Sequence, residues 1–344
     1  MNRIQIKASV LQKIGEKLIN KNVFFNSIHK DHILVKLYYS GVCGSQLMEI
    51  YGGRNNKKFL PHMLGHEGTG KIISFGQNVK NFKRGENVFL SWICSSRKNK
   101  VNPEYFDINT KKKINAGKLT TFNNYALVDK GNVYKLGNIS NKTGVLLGCA
   151  LPTGCGIIEN QTSNLKHKKV AIIGLGGVGL SALLASVYKK AKEIYVLEKN
   201  LERLKNIKNF FKNEKIIYLQ SSESTFKNYN DFFDVVIECS GKSQIIEKSI
   251  KLIKNNGKVI FASHPNKKNK IKLDPFDLIL GKRISGSWGG KTNFKKNLPF
   301  MIKIIKKFKN IDKLFFSKQY SLNEINKAIR DMKTGKVIRP LIKM

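Results

Sequence analysis

The stretch KKVAIIGLGGVGL, residues 168–180, decides the fold. It opens as an aliphatic run short enough for a buried strand, then places glycines at 174, 176 and 179 before apolar residues at helical spacing. In such a strand–turn–helix the glycines have separate roles. Gly174 permits the tight turn, Gly176 lets backbone N–H groups approach a pyrophosphate, and Gly179 allows the helix to lie close on the strand. Gly177 and Val178 complete the expected cofactor-binding turn. An acidic residue, Glu198, ends the next strand 19 residues after Gly179. A carboxylate there accepts hydrogen bonds from an adenosine ribose diol and repels a 2′-phosphate, so NAD is expected over NADP. Lys199 and Arg203 lie close enough in the chain to temper that preference, and Arg203 is itself a candidate cofactor contact.

Outward from this turn the same rhythm continues. Strand-like runs at 193–200, 215–220, 234–241, 257–263 and 283–290 alternate with helical stretches at 176–191, 201–211 and 245–256. With the first run these make six strands, which predicts an α/β, doubly wound parallel sheet. Before residue 150 the pattern differs: HILVKLYYSG (32–41), GTGKIISFG (68–76), GENVFLSWIC (85–94) and TFNNYALV (121–128) are short β runs broken by turn residues, which predicts a mostly antiparallel, β-rich domain. After 290 come helical stretches at 297–308 and 322–332 and a last strand, VIRPLI (337–342), expected to return to the first domain. The expected division is 1–153, 154–289 and 290–344.

The composition agrees with a folded globular chain. At 344 residues, 41% hydrophobic and 25% charged, two domains are expected and low-complexity disorder is excluded. The net charge of +40 is spread along the whole length among Asn and Ile rather than gathered into a basic arm, so no specific nucleic-acid footprint is expected. Such a surface still attracts anions. No run of about 18 apolar residues predicts a membrane span, and the amino terminus has no secretory pattern, so a cytoplasmic location is expected. Five cysteines at irregular positions fit reduced thiols or metal ligands rather than a disulfide framework.

Three segments each set a metal-binding side chain beside glycine: Cys43 in GVCGSQ (41–46), His66 in LGHEGTG (64–70) and Cys149 in GCALPTG (148–154). Separations of 23 and 83 residues are unlike the tight pairs of a zinc finger; two thiolates, one imidazole and an open fourth position describe a catalytic site. These three motifs, with GLGGVG (174–179) and GKVIRPLI (335–342), resemble in order and across nearly the full chain the zinc-dependent medium-chain alcohol dehydrogenase family. That resemblance implies a GroES-like catalytic domain at both chain ends, a Rossmann domain between them, and an active site in the cleft where they meet. It implies Cys43, His66 and Cys149 as ligands of a catalytic zinc, Glu67 as a nearby carboxylate, Ser45 as the start of a proton relay and Thr153 as a nicotinamide contact. It also implies Trp92 as a substrate-pocket wall and Arg339 as an arginine near the cofactor phosphates and the metal surroundings. The implied reaction is reversible oxidation of an alcohol, or of a sugar-derived one, to the carbonyl by NAD, in a homodimer or homotetramer.

The sequence departs from many relatives at three places. Gln46 stands where a carboxylate often follows, and a neutral amide orients His66 without raising its basicity. Met48 stands where the relay often ends in His and cannot carry a proton, so the proton is expected to leave Ser45 through the ribose hydroxyl or water. Between Trp92 and Thr121 there is only Cys94, where many relatives hold a structural zinc with four cysteines, so one zinc per subunit is expected. The segment 98–117 must then be ordered by packing or be a mobile loop. Cys94, Cys155 and Cys239 are expected to be inert, and His29, His32, His62, His167 and His264 structural or superficial. Rival expectations are a zinc-independent quinone reductase, a polyol dehydrogenase and a glutathione-dependent formaldehyde dehydrogenase. A non-catalytic nucleotide- or anion-binding protein on the same scaffold is the rival from a different class.

Overall fold

The computed structural model describes residues 3–94, 101–212 and 214–344. The chain forms two compact units, Met1–Cys149 with Phe316–Met344, and Ala150–Phe315.

Among the described residues the first unit carries two sheets. One runs in the order His62–Met63, Ile4–Leu11, Ile19–Phe25, Tyr105–Asp107, Lys113–Ile114, antiparallel throughout. The other is built on the long strand His32–Gly41. This strand pairs along one edge with Glu67–Phe75, and along the other with Tyr125–Asp129 at its start and Leu341–Lys343 at its end. Pairing of the last strand explains why the carboxyl terminus belongs here: Ile342, fully buried, packs with Val42, Ile50, Leu64 and Phe122. That cluster also fixes the helix Gly44–Ile50, whose Ile50 is 2% exposed. Truncating such a core residue costs about 2–5 kcal/mol, so this anchor sets the helix position firmly.

The segment 98–117 is a hairpin from Tyr105 onward, its strands Tyr105–Asp107 and Lys113–Ile114 extending the first sheet; its residues 98–100 lie outside the described ones. Packing orders the hairpin. Tyr105 is fully buried against Phe25, and its hydroxyl accepts the Leu127 N–H at 2.8 Å. At the turn, Asp107 accepts from Lys21 Nζ and from the N–H groups of Asn109 and Thr110.

The second unit is the expected parallel sheet. Its order is Ile216–Gln220, Glu193–Glu198, Lys169–Ile173, Phe233–Glu238, Ile253–Phe261, Arg283–Gly286, every neighbouring pair parallel. The order reverses between Lys169–Ile173 and Phe233–Glu238. In open α/β sheets a ligand crevice forms at such a reversal, beyond the carboxyl ends of the strands, and Gly174 is the first residue there.

The second unit is longer than expected at both ends, beginning at Ala150 rather than 154. Residues 290–315 do not return to the first unit; the crossing back comes at Phe316. The helix Phe294–Lys307 turns Phe294, Asn297, Phe300, Met301 and Ile304 inward. Phe300 meets Tyr188 edge-on at 5.5 Å, and Asn297 exchanges amide hydrogen bonds with Asn160. Its apolar stripe therefore completes the α/β layer. No helix among the described residues is long and apolar enough to cross a membrane.

Candidate metal centre and dinucleotide turn

Cys43 follows the strand His32–Gly41 in extended conformation and caps the helix Gly44–Ile50. His66 precedes the strand Glu67–Phe75, and Cys149 stands between the short helix Val145–Gly148 and the helix Ala150–Gln161. The neighbouring glycines have a steric reason. A Cβ on Gly148 would lie 2.5 Å from Glu67 Cβ and 2.6 Å from the Leu90 carbonyl oxygen, and one on Gly41 would strike the Glu67 carboxylate. Only glycine lets these backbones close around Glu67.

The structure brings the expected ligands together. One donor atom from each of Cys43, His66 and Cys149 lies within 4.8 Å of the others, and the two Sγ atoms are 3.9 Å apart. Tetrahedral zinc with Zn–S bonds of about 2.3 Å separates two thiolates by about 3.8 Å. The Gln46 amide donates to His66 Nδ1, and Ser45 Oγ stands 3.5 Å from the same nitrogen. His66 Nε2 is buried without a hydrogen-bond partner among the described residues, which leaves its lone pair open to a metal. The donor set of two sulfurs and one imidazole nitrogen fits zinc.

The two sulfurs form one hydrogen-bonded pair at 3.9 Å. Cys43 is drawn well below the ordinary thiol range, first by the hydrogen bond from Cys149, then by the charges of Arg339 and His66. Cys149 is pushed up by the same bond and by burial. A metal ion held by the pair would take the place of the thiol proton. Burial works against a charged His66, but the Cys43 thiolate, Glu67 and Glu49 outweigh it and raise its pKa.

Glu67, fully buried, pairs with Arg339, itself 2% exposed. Burial raises the Glu67 pKa against the pull of Arg339. Arg339 thus lies inside the first unit, its guanidinium paired with Glu67. Trp92 is tied to this region through its backbone N–H, which donates to the His66 carbonyl at 3.1 Å. Thr153 lies buried on the helix Ala150–Gln161 of the second unit.

At the dinucleotide turn, Gly174 has φ +85° and donates to the Leu197 carbonyl at 2.8 Å. A Cβ on Gly176 would meet nothing within 4 Å, so its backbone is open to a ligand. A Cβ on Gly179 would strike the Gly174 carbonyl. Gly177 and Val178 begin the helix Gly177–Tyr188. Glu198 is only 3% exposed and accepts the N–H of Leu175 at 2.8 Å and of Asn200 at 3.0 Å, with Arg203 Nη1 at 3.5 Å. Glu198 therefore pins the glycine turn itself, a role its spacing alone does not reveal.

Cys155 donates to the Ser181 carbonyl, and burial pushes both Cys155 and Cys239 up. His32 Nε2 lies 2.7 Å from the Val101 carbonyl. Glu49, a partly buried carboxylate on the Gly44–Ile50 helix, is held by Arg54 at 2.7 Å.

Comparison with known proteins agrees with this geometry. Residues 29–138 match the alcohol dehydrogenase GroES-like domain, and residues 177–304 match the zinc-binding dehydrogenase domain, together well over half the chain. The chain is 25% identical to alcohol dehydrogenase-like 1 of Arabidopsis thaliana, over 99% of this chain and 96% of that one. It is 25% identical to S-(hydroxymethyl)glutathione dehydrogenase of Komagataella pastoris, over 99% and 98%. Benzyl alcohol dehydrogenase of Acinetobacter calcoaceticus superposes with a TM-score of 0.86 at 25% identity, covering 99% of both chains. The chain belongs to the zinc-dependent medium-chain alcohol dehydrogenase family, oxidoreductases that act on CH–OH groups with zinc and a nicotinamide cofactor.

Proposed function

We propose that Cys43, His66 and Cys149 hold the single zinc of this alcohol dehydrogenase and that NAD, rather than NADP, is its partner in the reversible oxidation of a small or sugar-derived alcohol. The observation that carries the reading is the sulfur pair at 3.9 Å beside a buried, unpartnered His66 Nε2. A zinc ion held there supplies the Lewis acidity that lowers the pKa of an alcohol hydroxyl. The remaining work belongs to the chain. Gln46 and Ser45 orient the His66 ring, Glu67 and Arg339 balance charge behind the ligands, and Ser45 accepts the hydroxyl proton. The glycine turn takes the pyrophosphate, and Glu198, held by two backbone N–H groups, disfavours a 2′-phosphate. Arg203 and Thr153 are further cofactor contacts in this reading, and Trp92 a pocket wall. The single cysteine of the 92–121 lobe supports one zinc per subunit.

The test is a panel of benzyl alcohol, linear alcohols, polyols, sugar alcohols and S-(hydroxymethyl)glutathione with NAD and NADP, following the reduced cofactor. Activity is expected to vanish on chelation and to return with zinc. Turnover that survives complete zinc removal sinks the reading and favours a zinc-independent reductase.

A further inference from the structure

Where the order of the parallel sheet reverses, Glu238 ends the strand Phe233–Glu238 and pairs in register with Ile173, the residue before Gly174. Two turns therefore leave the sheet side by side, residues 174–179 from one strand and 239–242 from the next, and they border the crevice that such a reversal creates. They abut closely: a Cβ on Gly174 would lie 3.0 Å from both the N and the Cα of Ser240. Glu198 fastens the first turn through the Leu175 N–H, and Glu238 fastens the second. Glu238 Oε1 accepts the Ser240 N–H at 2.6 Å and also the Ser240 hydroxyl, whose oxygen accepts the Lys242 N–H at 3.3 Å.

Glu238 is an expensive residue for this place. It is fully buried, no ion pair reaches it among the described residues, and its Oε2 has no hydrogen-bond partner among them. A carboxylate buried without a cation costs folding free energy. Burial raises its pKa, and only the hydrogen bonds from Ser240 and from the Gly241 N–H pull it back. All its favourable contacts are thus directed at the turn beside the glycines.

Resting on the dehydrogenase reading above, we propose that Glu238 is a positioning residue for the nicotinamide dinucleotide, holding Ser240 and Gly241 so that the second lip of the crevice is formed before the cofactor arrives. A lip already ordered loses less entropy on binding, so the ligand is held more tightly. With no surface of its own exposed, the carboxylate acts through Ser240.

Calorimetric titration of NADH and NADPH into the zinc-loaded full chain provides the test, with urea midpoints of the cofactor-free protein beside it. Glu238→Leu leaves Ser240 without its acceptor and is expected to raise the dissociation constant of the better-bound cofactor at least about fivefold. Its midpoint should be no lower than the parent's, because a buried charge is removed at the same time. Glu238→Gln, whose carbonyl oxygen still accepts from Ser240, stays within about twofold of the parent. Ser240→Ala weakens binding at least about twofold alone and no further in the Glu238→Leu background. A smaller loss in Glu238→Leu, an equal loss in Glu238→Gln, a lowered midpoint or additive losses overturn the inference. If Glu238→Leu does not fold, Ser240→Ala decides, and binding equal to the parent's overturns it. If the parent binds neither cofactor, the function reading is what fails, and amide hydrogen exchange of the cofactor-free chain then decides the clamp. Faster exchange at Ser240 and Gly241 in Glu238→Leu, with the rest of the strand unchanged, supports it; equal exchange overturns it.

Discussion

Replacing Gln46 by Glu is expected to tighten zinc binding, and the structure shows why. An amide has one acceptor oxygen, and that of Gln46 is taken by the Cys43 N–H at 2.8 Å. Its NH2 therefore faces His66 Nδ1. When zinc takes Nε2, the ring proton must sit on Nδ1, so a donor then faces a donor. Either the amide turns over and abandons the Cys43 N–H, or the Nδ1–H is left to Ser45 Oγ at 3.5 Å. A carboxylate of the same length accepts from both groups at once, and its charge sits in the first turn of a helix, the favourable end for an anion. One recovered hydrogen bond in this 1%-exposed position is worth about 1–2 kcal/mol, a factor of about 5–30 in the zinc dissociation constant. The assay is competition with a chromophoric chelator on reduced, stripped protein, with urea midpoints to verify folding. Gln46→Ala, which supports neither group, should bind more weakly than the parent. A correctly folded Gln46→Glu protein that binds zinc no more tightly than the parent refutes the reasoning.

Other expectations follow from single contacts. Glu198→Ala frees Arg203 from its 3.5 Å partner and removes the repelling charge, so the kcat/KM ratio of NAD to NADP should fall at least tenfold; an unchanged ratio refutes the specificity role. Tyr105→Phe leaves the Leu127 N–H unpaired in a fully buried place, and urea unfolding should show a loss of about 1–3 kcal/mol. A loss below about 0.5 kcal/mol would mean that the hairpin is held otherwise. Burial lowers the His62 pKa from 6.5 to about 4, so folding favours its neutral form. The stability this confers is complete above pH 6.5 and drains away as pH falls toward about 4. Unfolding measured at pH 7 and pH 4.5 should show a smaller drop for His62→Gln than for the parent, and equal drops would exclude the histidine as the cause.

Local chemistry explains what could be read without coordinates. The glycine turn at 174–179 is a steric necessity, and six aliphatic runs with helices between them admit few arrangements besides a parallel sheet. The three expected ligands stand out because each occupies a glycine-flanked bend. Periodicity is silent on which partner an amphipathic helix chooses, so the sequence alone puts Phe294–Lys307 in the wrong unit; its stripe of Phe300 and Met301 fits the α/β layer equally well on paper and decisively in space. Hydrogen-bond accounting is equally invisible in a sequence. That Gln46 bridges Cys43 and His66, that Glu198 fastens Leu175, and that Tyr105 secures the hairpin all depend on backbone groups from distant segments.

The most direct measurement is zinc-edge X-ray absorption on the purified chain with its metal content counted. One zinc per chain, with two sulfur neighbours at about 2.3 Å and nitrogen or oxygen neighbours at about 2.0–2.1 Å, is the predicted result. A four-sulfur shell, or an unchanged spectrum after Cys43→Ser or Cys149→Ser, would contradict the assignment of these residues as the catalytic centre.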